Sequence, residues 1–391
     1  MKVTFVANFM NHHQLPFGNE MQKLTDDEFT FVAFEPLPLE QNRLGYEDMN
    51  ALPFIIRTYE GESEYKRALE KILNDDMVIF GSCPNSVVAE REATGKPFVI
   101  YSERFFKKGT YRRFIPITYK KIYNRLLRYE KSNVSVLCSS AYLPYDLKLL
   151  GKKFKTYKWG YFPEAKKYDN IEKVIDQKLP SSILWVARFI KLKHPEAIIE
   201  TAKRLKAKGY DFKLTLVGRG ELEVKMRTLV SNYGLGDNVV FAGSMSPGNV
   251  RTYMEKSSIF VFTSDQHEGW GAVINEAMNS GCAVVASHAV GSVPFLVQHG
   301  KNGLVYRNGD LDDLYKKVKY LCDNRGECKR MGNEAYKTMT EMWCAENATE
   351  RLYKVFKAQV NDEPEPVYPD GPVSIAEVIK PIYKEEKYDK I

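Results

Sequence analysis

Ser264-Asp-Gln-His-Glu-Gly-Trp-Gly-Ala-Val-Ile-Asn-Glu-Ala-Met-Asn-Ser-Gly-Cys-Ala-Val-Val-Ala-Ser287 is the stretch on which the fold turns. Ser258 to Thr263, just before it, is a nearly continuous apolar run and predicts a strand buried on both faces. Cys282 to Ala286 is a second run of the same kind. Between them Val273, Ile274, Ala277 and Met278 share one helical face, and Gly281 stops the helix. The pattern is strand, loop, helix, strand, with the loop opening at the carboxyl edge of a parallel sheet, where ligands bind. Gly269-Trp270-Gly271 falls at the helix start, where free amides favour a phosphate. Glu268 in the loop and Glu276 about two turns into the helix suit hydroxyl groups beside such an anion.

Working outward, a second βα series surrounds this stretch. Ser182 to Ala187 predicts a strand, followed by Arg188-Phe-Ile-Lys-Leu-Lys193-His-Pro-Glu and a helix over 197–208. Phe212 to Val217 predicts a strand leading to Gly218-Arg-Gly220, whose glycines allow close approach of backbone to phosphate. Strand 239–241 ends at Ala242-Gly243, and 302–306 completes the sheet. Helices are expected over 311–322, 328–342 and 344–360.

The composite E-G-W-G-x4-E-A-M-x-S-G-x-x-V-V-A-S resembles the donor-site signature of the retaining GT-B glycosyltransferases of family 4, also called group 1. The resemblance implies an α/β fold of two Rossmann-like lobes facing across a cleft, with the last long helix crossing back to the N-terminal lobe. It implies that Glu268 contacts hydroxyls of the transferred sugar and Glu276 the ribose, with Gly218, Gly220, Gly243, Gly269, Trp270 and Gly271 around the donor. Arg188 and Lys193 match the family's basic pair that grips the donor diphosphate, offsetting charge on the leaving group. The implied reaction moves a sugar from a UDP- or GDP-type donor, with retention, to a glycan or lipid-linked acceptor in bacterial surface-polysaccharide assembly. Neither Asp75-Asp76 nor Asp312-Asp313 is placed as a metal clamp, so no divalent ion and no cofactor are expected. The rival readings are a non-catalytic GT-B subunit, a sugar phosphorylase, and an oxidoreductase, the last opposed by the missing GxGxxG after the first strand.

The N-terminal half reads more coarsely. Strands are expected at 2–7, 29–34, 77–80, 97–101 and 134–138, with 39–52 polar and irregular. His12 or His13, in the loop after the first strand, is expected to touch acceptor or donor phosphate, against the plainer reading of polar surface. Glu103, beside Arg104 after a strand, is either part of a local ion pair or a wall of the acceptor site. Residues 154–164 resemble the segment crossing between lobes, and 166–180 a linker, giving domains 1–165, 166–345 and a crossing helix and tail at 346–391. In the tail, 374–379 is the segment expected to dock.

Charge is unevenly placed. The net charge is +7, yet ten basic residues and one acid fall between Arg104 and Lys131. Phe105, Phe106, Lys120, Lys121, Arg125 and Arg128 therefore suggest contact with an anionic membrane, while packing of the helix on the sheet is compatible with the same pattern. No recognition motif supports nucleic acid. Hydrophobic residues make up 44% and charged residues 27%, ordinary for a globular chain, and no apolar run approaches the ~20 residues that span a bilayer. Six scattered cysteines without a metal spacing are expected to be reduced, in keeping with a cytoplasmic enzyme held at the inner face of the plasma membrane.

Overall fold

The computed structural model describes residues 1–38 and 47–388. The chain divides into two compact units, Met1–Glu164 with Met342–Lys380, and Ala165–Glu341 with Pro381–Ile391. Part of the 39–52 stretch expected to be irregular lies outside the described residues; of the remainder, Met49–Ala51 is a 3₁₀ turn.

The first unit is a seven-stranded parallel sheet. Its strands are β1 Val3–Ala7, β2 Phe29–Ala33, β3 Ile55–Arg57, β4 Met77–Phe80, β5 Phe98–Ser102, β6 Val134–Cys138 and β7 Lys155–Lys158, in the order β3-β2-β1-β4-β5-β6-β7. β1, β2 and β4 are buried at every position, which is why they read as unbroken apolar runs. β7 corrects the sequence reading: the first part of the segment expected to cross between lobes is the edge strand of this sheet. Its sequence Lys-Thr-Tyr-Lys carries only one buried residue, Tyr157, and so gives no apolar run. The edge is covered by the C-terminal segment. Val373 N–H donates to the Lys158 carbonyl (2.8 Å), Lys158 N–H to the Ser374 carbonyl (2.8 Å) and Ala376 N–H to the Thr156 carbonyl (2.9 Å). The terminal helix Ala345–Asn361 belongs to this unit and packs on the helix Leu15–Leu24.

The second unit is a six-stranded parallel sheet made of β8 Leu179–Val186, β9 Lys213–Val217, β10 Val239–Gly243, β11 Ser257–Phe262, β12 Ala283–Ser287 and β13 Gly303–Tyr306. The order β10-β9-β8-β11-β12-β13 reverses direction between β8 and β11. The 166–180 linker is corrected: it holds a helix, Ile171–Asp176, and the first residues of β8. Helices Pro195–Ala207, Val273–Asn279, Leu311–Asp323 and Arg325–Lys337 are among those covering the sheet.

Helix Val273–Asn279 ends in a Schellman turn. Cys282 N–H reaches the Ala277 carbonyl (3.1 Å), Gly281 N–H reaches the Met278 carbonyl (3.0 Å), and Gly281 sits at φ +70°. A Cβ on Gly332 would lie 2.4 Å from the Gly281 carbonyl oxygen, so helix Arg325–Lys337 rests directly on this turn and fixes where the short helix points. Among the described residues, no helix is long and apolar enough to cross a membrane.

Candidate active site

Because β8 and β11 are neighbours, the loops that follow them, 187–194 and 263–272, emerge side by side at the carboxyl edge where strand order reverses. That is the switch point at which open α/β sheets take ligands. Thr263 stitches the loops together: its hydroxyl donates to the Lys193 carbonyl (2.5 Å) and accepts from the Trp185 indole (2.8 Å). Asp265 N–H bonds the Leu192 carbonyl (3.1 Å).

On this frame Lys193 and Glu268 form an ion pair, each side chain about 15% exposed (14% and 15%). The Lys193 ammonium also lies over the Phe262 ring, 5.2 Å from its centroid. Gly271, at φ +78°, has no room for a side chain, since a Cβ would fall 2.9 Å from that ring and 3.5 Å from Glu268 Cγ. Gly269 is half-buried in the same loop. Glu276 is half-buried, and burial raises its carboxyl to about 7 against the opposing pull of Arg251.

Arg188 is exposed on the loop after β8. Phe189 beside it is fully buried, donates its N–H to the Arg219 carbonyl (2.9 Å) and accepts from Leu222 N–H (2.9 Å). Gly218 and Gly220 have a packing role that the sequence did not suggest. A Cβ on Gly218 would overlap the Ala187 carbonyl oxygen at 1.9 Å, and one on Gly220 the Phe189 carbonyl oxygen at 2.5 Å. The two glycines let the β9 loop press against the loop that carries Arg188. Gly243, at φ +75°, accepts from Gly218 N–H (2.8 Å), and a Cβ there would meet nothing within 4 Å.

Trp270 is a correction. It is 1% exposed, its indole donates to Asn275 (2.9 Å) and its ring packs 6.4 Å from that of Phe295, so its side chain supports the loop from within and is not offered to a ligand.

A relay that the sequence reading did not assemble joins the same two loops. His194 Nε2 meets Asp265 Oδ2 (3.1 Å), its Nδ1 meets Glu196 (2.8 Å), and Asp265 Oδ1 bonds both the backbone N–H (2.8 Å) and Nδ1 (2.9 Å) of His267. Glu196, then Asp265, raise His194 above the ordinary imidazole value, burial opposing. Burial pushes Asp265 up, but its hydrogen bonds from His267 and His194 outweigh it and hold it below the usual carboxylate range. The His194-Pro195-Glu196 run at a helix start was the available signal, and His194 takes φ +45° there; its other partner, Asp265, lies 71 positions away, which no local pattern reports.

In the first unit His13 and Glu103 are brought together through Tyr161. The His13 ring stacks on Tyr161 (5.4 Å, 15°), whose hydroxyl donates to Glu103 (2.9 Å). Burial, then the neighbouring His12, lowers His13 to about 3, so it is a neutral imidazole at pH 7. Glu103 is in a local ion pair with Lys107. Its neighbour Arg104 pairs instead with buried Asp146 (3.2 Å), whose other oxygen takes the backbone N–H groups of Phe105 (2.8 Å) and Phe106 (3.0 Å). Two membrane candidates are thereby corrected. Phe106 is 1% exposed, folded inward by that turn, and Arg125 donates to the Gly81 carbonyl (3.0 Å). Phe105 is half-buried, and Lys120, Lys121 and Arg128 are exposed. The helix there runs over Pro116–Arg125 and ends where Leu126 leaves helical geometry at φ −140°.

The two aspartate pairs are absorbed structurally. Asp75 accepts from Thr4 (2.6 Å) at the amino end of the sheet, and Asp312 and Asp313 open a helix capped by Asp310.

Residues 168–338 match the family model described as glycosyl transferases group 1. The amylovoran biosynthesis glycosyltransferase AmsK of Erwinia amylovora is 30% identical over 212 residues, 52% of this chain and 50% of the relative. The N-acetyl-alpha-D-glucosaminyl L-malate synthase of Bacillus anthracis is 24% identical over 181 residues, 46% of each chain. The chain thus spans about half the length of the curated relatives it matches. Among solved structures, HepE of Anabaena in complex with UDP superposes over 92% of this chain and 100% of its own, with a TM-score of 0.68 at 14% identity. The lipopolysaccharide outer core galactosyltransferase WaaB gives 0.64 over 93% of this chain and 99% of its own at 15% identity. These similarities show the GT-B fold. Over residues 168–338, then, the chain is similar to the group 1 glycosyl transferases.

Proposed function

We propose that this protein is a retaining, metal-independent glycosyltransferase that moves a sugar from a nucleoside diphosphate donor to a glycan or lipid-linked acceptor of a bacterial surface polysaccharide. The observation that carries the reading is the Lys193–Glu268 pair at the switch point of the second sheet, held by loops that glycines and Thr263 lock together. A cation with a carboxylate beside it suits a substrate that joins a diphosphate to a hydroxyl-rich ring. Donor entry exchanges the Glu268 contact of Lys193 for phosphate oxygens and frees the carboxylate for sugar hydroxyls. Arg188, exposed on the adjoining loop, adds a second cation to the leaving group, and charge placed where it develops in the transition state is the largest source of rate. Glu276, close to half-ionised at neutral pH, takes the ribose hydroxyls. His13, neutral, and Glu103 are the acceptor-side groups of the first unit.

The match to an amylovoran biosynthesis glycosyltransferase and the fold shared with a UDP-bound protein support a nucleoside diphosphate donor and a polysaccharide acceptor. Retention follows from front-side attack by the acceptor on the face vacated by the diphosphate, without an enzyme nucleophile. The test is calorimetric binding and turnover across UDP-, GDP- and dTDP-sugars, in chelator and in magnesium, with the anomer of the product read by NMR. Binding without turnover of any donor would leave a non-catalytic subunit instead. An inverted anomer, or turnover lost in chelator and restored by magnesium, would overturn the corresponding part of the mechanism.

A further inference from the structure

The stretch between residues 110 and 125 presents a surface that the transfer chemistry does not use. Five of the large apolar or aromatic side chains left exposed fall within it: Tyr111 (62%), Phe114 (74%), Ile117 (65%), Tyr119 (40%) and Tyr123 (43%). They stand on a 3₁₀ turn, Thr110–Phe114, and on the helix Pro116–Arg125, which buries only Ile122. The helix covers Ile122 (7% exposed) and leaves Ile117, Tyr119 and Tyr123 facing outward. Exposed apolar groups gathered in one place mark an interaction surface.

Cations surround them. Lys108, Lys120, Lys121 and Arg128 are exposed, and Arg112 and Arg113 are half-buried, with Arg113 lying over the Phe114 ring (4.4 Å). None of these six has an acidic partner among the described residues, whereas Arg104, Lys107 and Lys152 nearby are each paired with an acid. The cations flanking the exposed apolar residues in sequence, Arg112, Arg113, Lys120 and Lys121, are therefore not neutralised by an acid among the described residues.

We propose that Phe114 and Ile117 are the insertion tip of a docking surface for an anionic lipid bilayer, with Tyr111, Tyr119 and Tyr123 at headgroup level and Lys120 and Lys121 against lipid phosphates. The charge complementarity selects the occupant. A second copy of the chain would bring the same cations face to face, and a nucleic acid would gain nothing from an aliphatic Ile117 at the tip. Tyrosine at the rim and phenylalanine at the point match the depth preferences of the interface. The surface does not rest on the transfer reading, because it involves none of the residues placed in the donor site.

The experiment is flotation of the full-length protein with vesicles of phosphatidylcholine, with and without phosphatidylglycerol, at low and high salt. The wild type is expected to float only with the anionic vesicles and to be released by salt. Lys120→Gln with Lys121→Gln should lower partitioning by about fivefold per cation, and Phe114→Ser with Ile117→Ser by at least about tenfold. Val224→Ser, which removes an exposed apolar residue of the second unit, should change nothing. All variants should keep the wild-type melting temperature, since the altered side chains are solvent-exposed. A Phe114→Trp reporter should shift to the blue on anionic vesicles alone. The proposal is overturned if the wild type ignores anionic vesicles, or if the Phe114/Ile117 variant floats as well as the wild type. It is overturned equally if Phe114→Ser abolishes a dimer seen by sedimentation, or if an oligonucleotide binds where vesicles do not.

Discussion

Replacing Gly218 by alanine is the sharpest test of how the donor loops are held. The added Cβ would stand 1.9 Å from the Ala187 carbonyl oxygen and 2.9 Å from its carbon, both backbone atoms that no rotamer change can move. Restoring an ordinary contact requires the loops after β8 and β9 to separate by at least about 1 Å, and displacement of that order costs on the order of 10²-fold in rate where geometry governs catalysis. The residue also sits at φ +134°, a conformation that costs an alanine about 1–3 kcal/mol. Gly243→Ala is the matched control: φ +75° and no atom within 4 Å of the new methyl group. Its cost is the backbone term alone, about 1–2 kcal/mol. Donor binding and turnover, with the melting temperature measured alongside, should show Gly218→Ala losing on the order of 10²-fold activity and several degrees of stability. Gly243→Ala should lose much less of both. If Gly218→Ala kept its donor turnover within about threefold of wild type, a difference of ~0.7 kcal/mol in barrier, the claim that this packing positions Arg188 and Lys193 would be wrong.

Three further outcomes are expected. In a double-mutant cycle, Lys193→Met should cost about 2–4 kcal/mol by stranding the half-buried Glu268 carboxylate, and Glu268→Gln in the same chain should recover much of that stability but no turnover; purely additive stabilities would deny the pair. Glu276 has its folded-state carboxyl raised to about 7, so its proton is bound more tightly in the folded chain, and stability relative to Glu276→Gln should be full below about pH 4.5 and decline as pH rises towards 7, by roughly 3 kcal/mol in all. Urea unfolding of both proteins at pH 5 and pH 8 checks this, an equal gap at the two pH values being the contrary result. Truncation after Asn361 removes the segment that pairs with Thr156 and Lys158 of β7 along with the Glu365 and Asp370 ion pairs, exposing an edge strand. The first unit should melt several degrees lower and aggregate on heating, and unchanged light scattering would show that the edge needs no cover.

How much of this was legible in the sequence depended on what each element buries. β1, β4, β11 and β12 lie inside parallel sheets and announce themselves as apolar runs, whereas β3, three residues long, and β7, with polar residues at three of four positions, lie at the edges of the first sheet and carry no such signal. Side-chain direction was the second limit. Trp270 stands between two glycines in a loop, and only the positions of Asn275 and Phe295 determine that the indole points down into the core. Likewise a count of ten cations in one segment cannot tell that Arg104 is consumed by Asp146 and Arg125 by a backbone carbonyl, while Lys120 and Lys121 stay exposed.

The pairing of distant loops lay within reach by a different route. A right-handed crossover from β8 to β9 and onward, followed by a return to the other side of β8, is what sets β11 beside β8. Once that order is adopted, the loop carrying Lys193 must emerge next to the loop carrying Glu268, although 75 positions separate the two residues. Local periodicity yields the strands and topology yields their neighbours. What neither yields is the fine contact, such as Thr263 accepting from Trp185 while donating to the Lys193 carbonyl. That contact is set by packing beneath the site, and its dependence on one hydroxyl makes Thr263, a residue with no chemistry of its own to offer a substrate, a positioning residue of the second unit.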